Sequence, residues 1–360
     1  MKILTVLGTR PEIIKLSPLL PLFDTSFEHK LVHTGQHYDF ELDRIFFEGL
    51  TLRNPDIMLE VGSSDGLTQT AAIMDRLKPV IDAAQPDLIV VQGDTNSTLA
   101  GALAAVKSGV KLAHIEAGCR SFNRQMPEEL NRVITDRVAD ILFAPFEDQA
   151  ENLRKEGVDK ERVFVTGSIL TDVCFDHFDA IDQSDIQNRV GLKEREYIVV
   201  TIHRAENTDD LAILKQLIDS LNRFADDIDI VFPIHPRTRK AVNVSNIKNK
   251  PTLKIINPLG YVDFLKLLSG ALFVMTDSGG VQEEAAILNV PGLILREETE
   301  WINYVKAGKN KLVGRDLNSV LEAAKELLQD TGRLVEMREA DAYIPRGASQ
   351  EIEKALRASL

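Results

Sequence analysis

Short apolar runs recur along this chain, each closing on glycine or a polar cluster and each followed by a helix-like stretch. They fall at 3–7, 30–33, 88–91, 111–115, 141–144 and 163–165, then at 197–202, 229–234, 253–256, 272–275 and 292–295. Runs such as L-I-V-V, Y-I-V-V-T-I and L-F-V-M are apolar at consecutive positions rather than alternate ones. A strand with one wet face alternates; a strand covered on both faces does not, so these runs predict parallel sheets flanked by helices. The stretches between them, such as 98–107 and 211–224, carry apolar residues at helical spacing. The pattern predicts an α/β protein of two doubly wound, Rossmann-like domains, N-terminal over 1–170 and C-terminal over 171–347. A last helix over 348–360 is expected to pack back on the first domain. The chain's 360 residues suffice for two domains of about 100–200 residues each.

Charge narrows the partners. A formal net charge of −13 repels phosphate polymers and anionic lipid, which argues against nucleic-acid and membrane binding. Phosphate chemistry would then need a local cluster of cations. Two cysteines, Cys119 and Cys174, with no C-x-x-C, support neither a disulfide framework nor a cysteine zinc site. The histidines lack zincin spacing, and Asp227-Ile-Asp229 precedes a strand instead of following one, so no metal is expected. The first residues lack a signal-peptide pattern and no apolar run is long enough to span a bilayer, which makes the cytoplasm the expected address.

In open parallel sheets ligands bind beyond the carboxyl ends of the strands. The segments at those ends are G-T-R-P-E (8–12), T-G-Q-H (34–37), Q-G-D-T-N (92–96), H-I-E-A-G (114–118), H-R-A-E-N (203–207), H-P-R-T (235–238) and D-S-G-G (277–280). Ser278, Gly279 and Gly280 open a helix. Glycines admit an anion close to the backbone, and the helix N-terminus points free N–H groups and positive partial charge at it. A diphosphate suits that turn, with Glu284 one turn in to accept from ribose hydroxyls. The plainer alternative is a tight turn and helix cap, with the acids complementing the helix dipole. Arg10 and Lys15 flank the mouth of another helix and can neutralise phosphate, or else are surface charges on it. Neither G-x-G-x-x-G nor G-x-x-x-x-G-K-[ST] is present, which weakens dehydrogenase and NTPase readings.

Asp94, Glu116, Glu128 and His203 are candidates for proton transfer. Asp94 and Glu116 end neighbouring strands and are expected to face one cleft, where packed carboxylates shift each other's acidity. Taken singly, each has a structural reading: Asp94 as a helix cap, Glu128 as an N-terminal helix acid behind Pro127, and His203 as a bonded strand-end residue. Together at strand and helix mouths they point to chemistry.

These motifs, in this order, resemble those of the non-hydrolysing UDP-N-acetylglucosamine 2-epimerases. The likeness runs from G-T-R-P-E-I-I-K (8–15) through M-P-E-E-L-N-R (126–132), V-T-G (165–167) and T-I-H-R-A-E-N to T-D-S-G-G-V-Q-E-E-A (276–285). It implies a glycosyltransferase-B-like fold, with UDP in the interdomain cleft held mainly by the second domain. Carried over, Arg10, Lys15, Ser278, Gly279, Gly280 and Glu284 bind the nucleotide, Leu259 and Phe264 contact uracil, and Asp94, Glu116, Glu128 and His203 are catalytic. It further implies a homodimer through first-domain helices, a role in surface-polysaccharide synthesis and no cofactor. Family members eliminate UDP across C1–C2 of the sugar, giving a 2-acetamidoglucal, and add it back with the C2 proton on the other face.

Two departures stand out. Where the family usually reads T-E-R-P-E, this chain has Thr299-Glu300-Trp301-Ile302-Asn303, an indole in place of a cation, for which Arg296 or Arg346 can compensate. The family's N-P-Y-G-D-G-like segment is here 341–347, D-A-Y-I-P-R-G. A related branch acts on UDP-2,3-diacetamido-glucuronic acid, so a modified sugar is one alternative substrate. A hydrolysing epimerase releasing ManNAc, a same-fold glycosyltransferase and a non-enzymatic sugar-nucleotide sensor are the others. Residues linked to regulation by a second UDP-GlcNAc are not recognisable at 38–44, and no allosteric activation is expected.

Overall fold

A computed structural model describes residues 1–36, 46–202, 211–234 and 250–359. The chain divides into two units, the first Met1–Asp176 with Ile344–Leu360, the second His177–Tyr343. The junction therefore lies six residues beyond the expected 170/171. The reason is packing and capping. Helix Ile169–Asp176 packs on helix Arg10–Leu16, and its Asp172 accepts hydrogen bonds from the Gly347 N–H (2.7 Å) and from the Ser349 N–H and hydroxyl (both 2.8 Å). That carboxylate satisfies N–H donors at the start of the C-terminal helix Ala348–Ser359, which draws 344–347 into the first unit as well.

The first unit is built on β1 (Lys2–Leu7), β2 (Glu28–His33), β3 (Ile57–Met58), β4 (Leu88–Gln92), β5 (Lys111–Ile115), β6 (Ile141–Ala144) and β7 (Val163–Val165). They form one parallel sheet in the order β3-β2-β1-β4-β5-β6-β7. Ile89, Val90, Leu112, Ala113 and Leu142 are wholly buried, as strands covered on both faces require. The second unit carries β8 (Tyr197–Thr201), β9 (Asp229–Pro233), β10 (Leu253–Ile256), β11 (Val274–Thr276), β12 (Gly292–Ile294) and β13 (Asn310–Leu312). Its sheet is also parallel, in the order β10-β9-β8-β11-β12-β13.

Both sheets are thus wound outward in two directions from a central pair, β1/β4 in the first and β8/β11 in the second. At such a switch point the chains leaving the two strands diverge, and a crevice opens at the carboxyl ends. The first unit places 8–10 and 93–95 there; the second places 202 and 277–279 there. Among the described residues, no helix is long and apolar enough to cross a membrane.

Candidate active site

In the first unit a buried carboxylate ties the two switch-point turns together. Glu12 accepts from the Gly8 N–H (3.0 Å) and the Thr9 hydroxyl (2.8 Å) after β1, and from the hydroxyls of Thr95 (3.0 Å) and Thr98 (3.2 Å) after β4. Burial pushes its carboxyl above the ordinary range, against the pull of those hydrogen bonds. Gly8 has no room for a side chain, since a Cβ would stand 2.0 Å from Thr34 Oγ1 and 2.2 Å from Ser97 Oγ. Arg10 is exposed at the head of its helix, its guanidinium 5.2 Å from the Phe46 ring centroid. Thr95, and not Asp94, caps the helix Asn96–Lys107 in a reciprocal bond with Thr98.

Asp94 is instead paired with Arg132, while Asn131 Nδ2 donates to the Asp94 carbonyl (2.8 Å). Glu116 follows β5, next to β4, and its Oε2 receives both Lys15 Nζ (2.5 Å) and Gln92 Nε2 (2.7 Å). Glu116 has φ +70°, a left-handed conformation that costs a residue with a Cβ about 1–2 kcal/mol. Two acids and two cations therefore meet at one end of one sheet. Lys15, read from the sequence as a phosphate ligand, sits on a catalytic candidate.

Helix Pro127–Val138 supplies much of this arrangement and is amphipathic the wrong way round. Its inward positions are Glu129, Asn131, Arg132, Thr135 and Asp136, while Leu130, Val133 and Ile134 are 38–40% exposed. Glu129 accepts from the N–H groups of Ser121 (2.8 Å) and Phe122 (3.1 Å) and pairs with Arg132 Nη1 (3.1 Å). Glu128 is exposed beside it at the helix start. His203 lies outside the described residues, as do 38–44 and 235–238.

The second unit shows a different kind of turn. Thr201 and Thr276 share a hydroxyl–hydroxyl bond (2.6 Å), and Thr276 Oγ1 accepts from the Ser278 N–H (3.0 Å). Ser278 caps helix Gly279–Ile287. A Cβ at Gly280 would meet nothing within 4 Å, and one at Gly279 nothing nearer than Trp301 Nε1 at 3.8 Å. Unlike Gly8, these glycines are not demanded by packing. Glu284 is buried in the same helix, and Leu259, Phe264 and Val281 pack half-buried against one hydrophobic cluster.

Trp301 is buried beside this turn. Thr299 holds its loop there, donating to Gln282 Oε1 (2.6 Å) and accepting from the Trp301 N–H (3.1 Å). Arg296 is buried and grips both oxygens of Glu300 (2.8 and 3.0 Å); Arg346 lies in the first unit, 4.0 Å over the Phe175 ring. Sequence reasoning missed Glu12, Gln92, Arg132 and Asn131 as site residues. The signal for Arg132 was the spacing of polar residues at 129, 132 and 136, one inward helical stripe.

Comparison with known proteins agrees with this architecture. The family model for UDP-N-acetylglucosamine 2-epimerase matches residues 23–357. The UDP-N-acetylglucosamine 2-epimerase of Methanococcus maripaludis is 43% identical over 338 residues, covering 91% of this chain and 92% of its own. The UDP-2,3-diacetamido-2,3-dideoxy-D-glucuronate 2-epimerase of Pseudomonas aeruginosa is 38% identical, covering 93% and 95%. The crystal structure of Methanocaldococcus jannaschii UDP-GlcNAc 2-epimerase in complex with UDP-GlcNAc and UDP aligns over 100% of both chains, with a TM-score of 0.91 and 38% identity.

Proposed function

From the premise that this chain belongs to the UDP-N-acetylglucosamine 2-epimerase family, we propose that it is an isomerase that interconverts UDP-GlcNAc and UDP-ManNAc without hydrolysis. The observation that carries the reading is the meeting of Asp94–Arg132 and Glu116–Lys15 at one sheet end. C2 of the sugar has no adjacent carbonyl, so its proton is not acidic enough for simple abstraction. In an elimination, the C2–H electrons form the C1=C2 bond as the C1–O bond breaks and its pair leaves with the β-phosphate of UDP. Re-addition of UDP with protonation from the opposite face gives the epimer.

Asp94, Glu116, Glu128 and His203 are the groups for those proton transfers. Arg10, Lys15 and the backbone amides of Gly279 and Gly280 suit the departing diphosphate. Glu284 suits ribose, and Leu259 and Phe264 suit uracil. UDP-ManNAc is a donor sugar for surface polysaccharide. In deuterated water the protein should place deuterium at C2 of both epimers; no exchange and no UDP-ManNAc would overturn the reading. Free ManNAc with UDP would make it a hydrolase instead.

A second reading, a 2-epimerase of UDP-2,3-diacetamido-glucuronic acid, is supported by the relative of that activity that covers 93% of this chain, and the indole of Trp301 in place of the family arginine marks where the sugar's substituents would be told apart. The ratio of kcat/KM for the two sugars decides between them. The exposed Leu130, Val133 and Ile134 suit a second copy of the chain. Light scattering should then give twice the 40.1 kDa of one chain.

A further inference from the structure

We propose that His114 and Asp136 are positioning residues for the reaction, one carboxylate and one imidazole that together set the turns bearing Asp94 and Glu116. The inference rests on the function proposed above. Asp136, on the inward stripe of helix Pro127–Val138, receives His114 Nδ1 on Oδ1 (2.6 Å) and the Gly118 N–H on Oδ2 (3.0 Å). Those partners stand two residues before and two after Glu116. A single carboxylate therefore brackets the residue held at φ +70°, a conformation that persists only where its surroundings enforce it.

Gly118 is confined to this arrangement, because at φ +78° a Cβ would stand 2.2 Å from the Gln149 carbonyl oxygen. The other side of the imidazole reaches the second turn. A carbonyl oxygen only accepts, so His114 Nε2 carries a proton and donates it to the Gly93 carbonyl (2.8 Å), next to Asp94. The Gly93 N–H in turn donates to the Ile115 carbonyl (3.0 Å), so Gly93 is held through both of its backbone groups. Arg120 completes the network, with Nη1 2.7 Å from Asp136 Oδ2 and a forked pair with Glu156 (2.8 Å each).

His114 and Asp136 are 0% and 1% exposed, too deep to meet substrate themselves. Burial pushes the Asp136 carboxyl up, but the charges of His114 and Arg120 and the hydrogen bonds from His114 and Gly118 outweigh it and hold the group below the usual range. The spacing H-x-E-x-G in H-I-E-A-G thus has a physical reason: the histidine and glycine are the two handles by which Asp136 aims the glutamate.

The test is steady-state kinetics of Asp136→Asn and His114→Gln, with Glu156→Gln as control. A misplacement of about 1 Å can cost on the order of 10²-fold in rate. Both variants should therefore lose about that factor in kcat and in C2 deuterium exchange, with KM for the UDP-sugar nearly unchanged. Glu156→Gln should lower Tm and leave kcat alone. Should Asp136→Asn fail to fold, His114→Gln, which keeps a donor toward Gly93, decides the matter. A folded variant with wild-type kcat overturns the proposal. If wild-type protein neither epimerises nor exchanges UDP-GlcNAc, the function has failed and not the positioning. The crystal structure of His114→Gln then decides, through departure of Glu116 from φ +70° or its retention.

Discussion

At the carboxyl end of the first sheet Glu116 meets Lys15 and Asp94 meets Arg132, whereas at the same end of the second sheet Thr201 meets Thr276 and the chain turns through Ser278 and two glycines. The windings are alike, so winding did not choose the chemistry. In the first unit each acid is held by a cation or amide from another element, which fixes its direction before any ligand arrives. In the second unit the turn at 276–280 is built of hydroxyls and open glycines, the setting proposed above for an incoming anion. On the function proposed above, the first arrangement suits proton transfer, which needs aimed ionisable groups, and the second suits a diphosphate, which needs space and donors.

Substitutions can break that division of labour. The largest effect is expected from Asp94→Asn and Glu116→Gln, each losing about 10²–10⁴-fold in kcat with KM little changed. Comparable losses in KM would show that the first unit binds as much as it catalyses. Arg132→Met leaves Asp94 and Glu129 without their cation and should cost about 3 kcal/mol of unfolding free energy in urea titrations. Gly280→Val enters open space, so Tm should hold while KM for the UDP-sugar rises about tenfold, the loss of roughly one good anion contact. A fall in kcat of the same size would blur the contrast. Thr276→Val should cost only about 1 kcal/mol, the worth of a neutral hydrogen bond.

The smallest effect is in acid. The depressed carboxyl of Asp136 contributes stability that is present above its unfolded value near 3.8 and is lost as pH falls through the lower folded value. The Tm gap between wild type and Asp136→Asn should therefore be widest near neutrality and narrow below about pH 4. A gap that stays constant would mean that the pair contributes packing alone.

The longer strands were legible because consecutive apolar residues are a local signal. The two-residue β3 and three-residue β13 were not, since Ile57-Met58 is too short a run to stand out and Asn310-Lys311-Leu312 is mostly polar. They exist because β2 and β12 present backbone groups for them to pair with. The catalytic candidates were legible as residue types at strand ends, but their partners were not. Asp94 read equally well as a helix cap until Thr95 took that place. Arg296 read as a substitute cation, and its pairing with Glu300 four residues on was not foreseen. Glu12 read as part of a helix start, yet its four hydrogen bonds join two turns more than eighty residues apart in sequence.

Sequence alone determined the parallel α/β class and the family. Apolar runs, glycines and motif order act over a few residues and survive without any knowledge of neighbours. Only the tertiary structure decided which charge answers which. Lys15 reaches Glu116 across 101 positions and Arg132 reaches Asp94 across 38. Such pairings arise because burying a charge is costly unless a partner is brought to it, and the sheet order does the bringing.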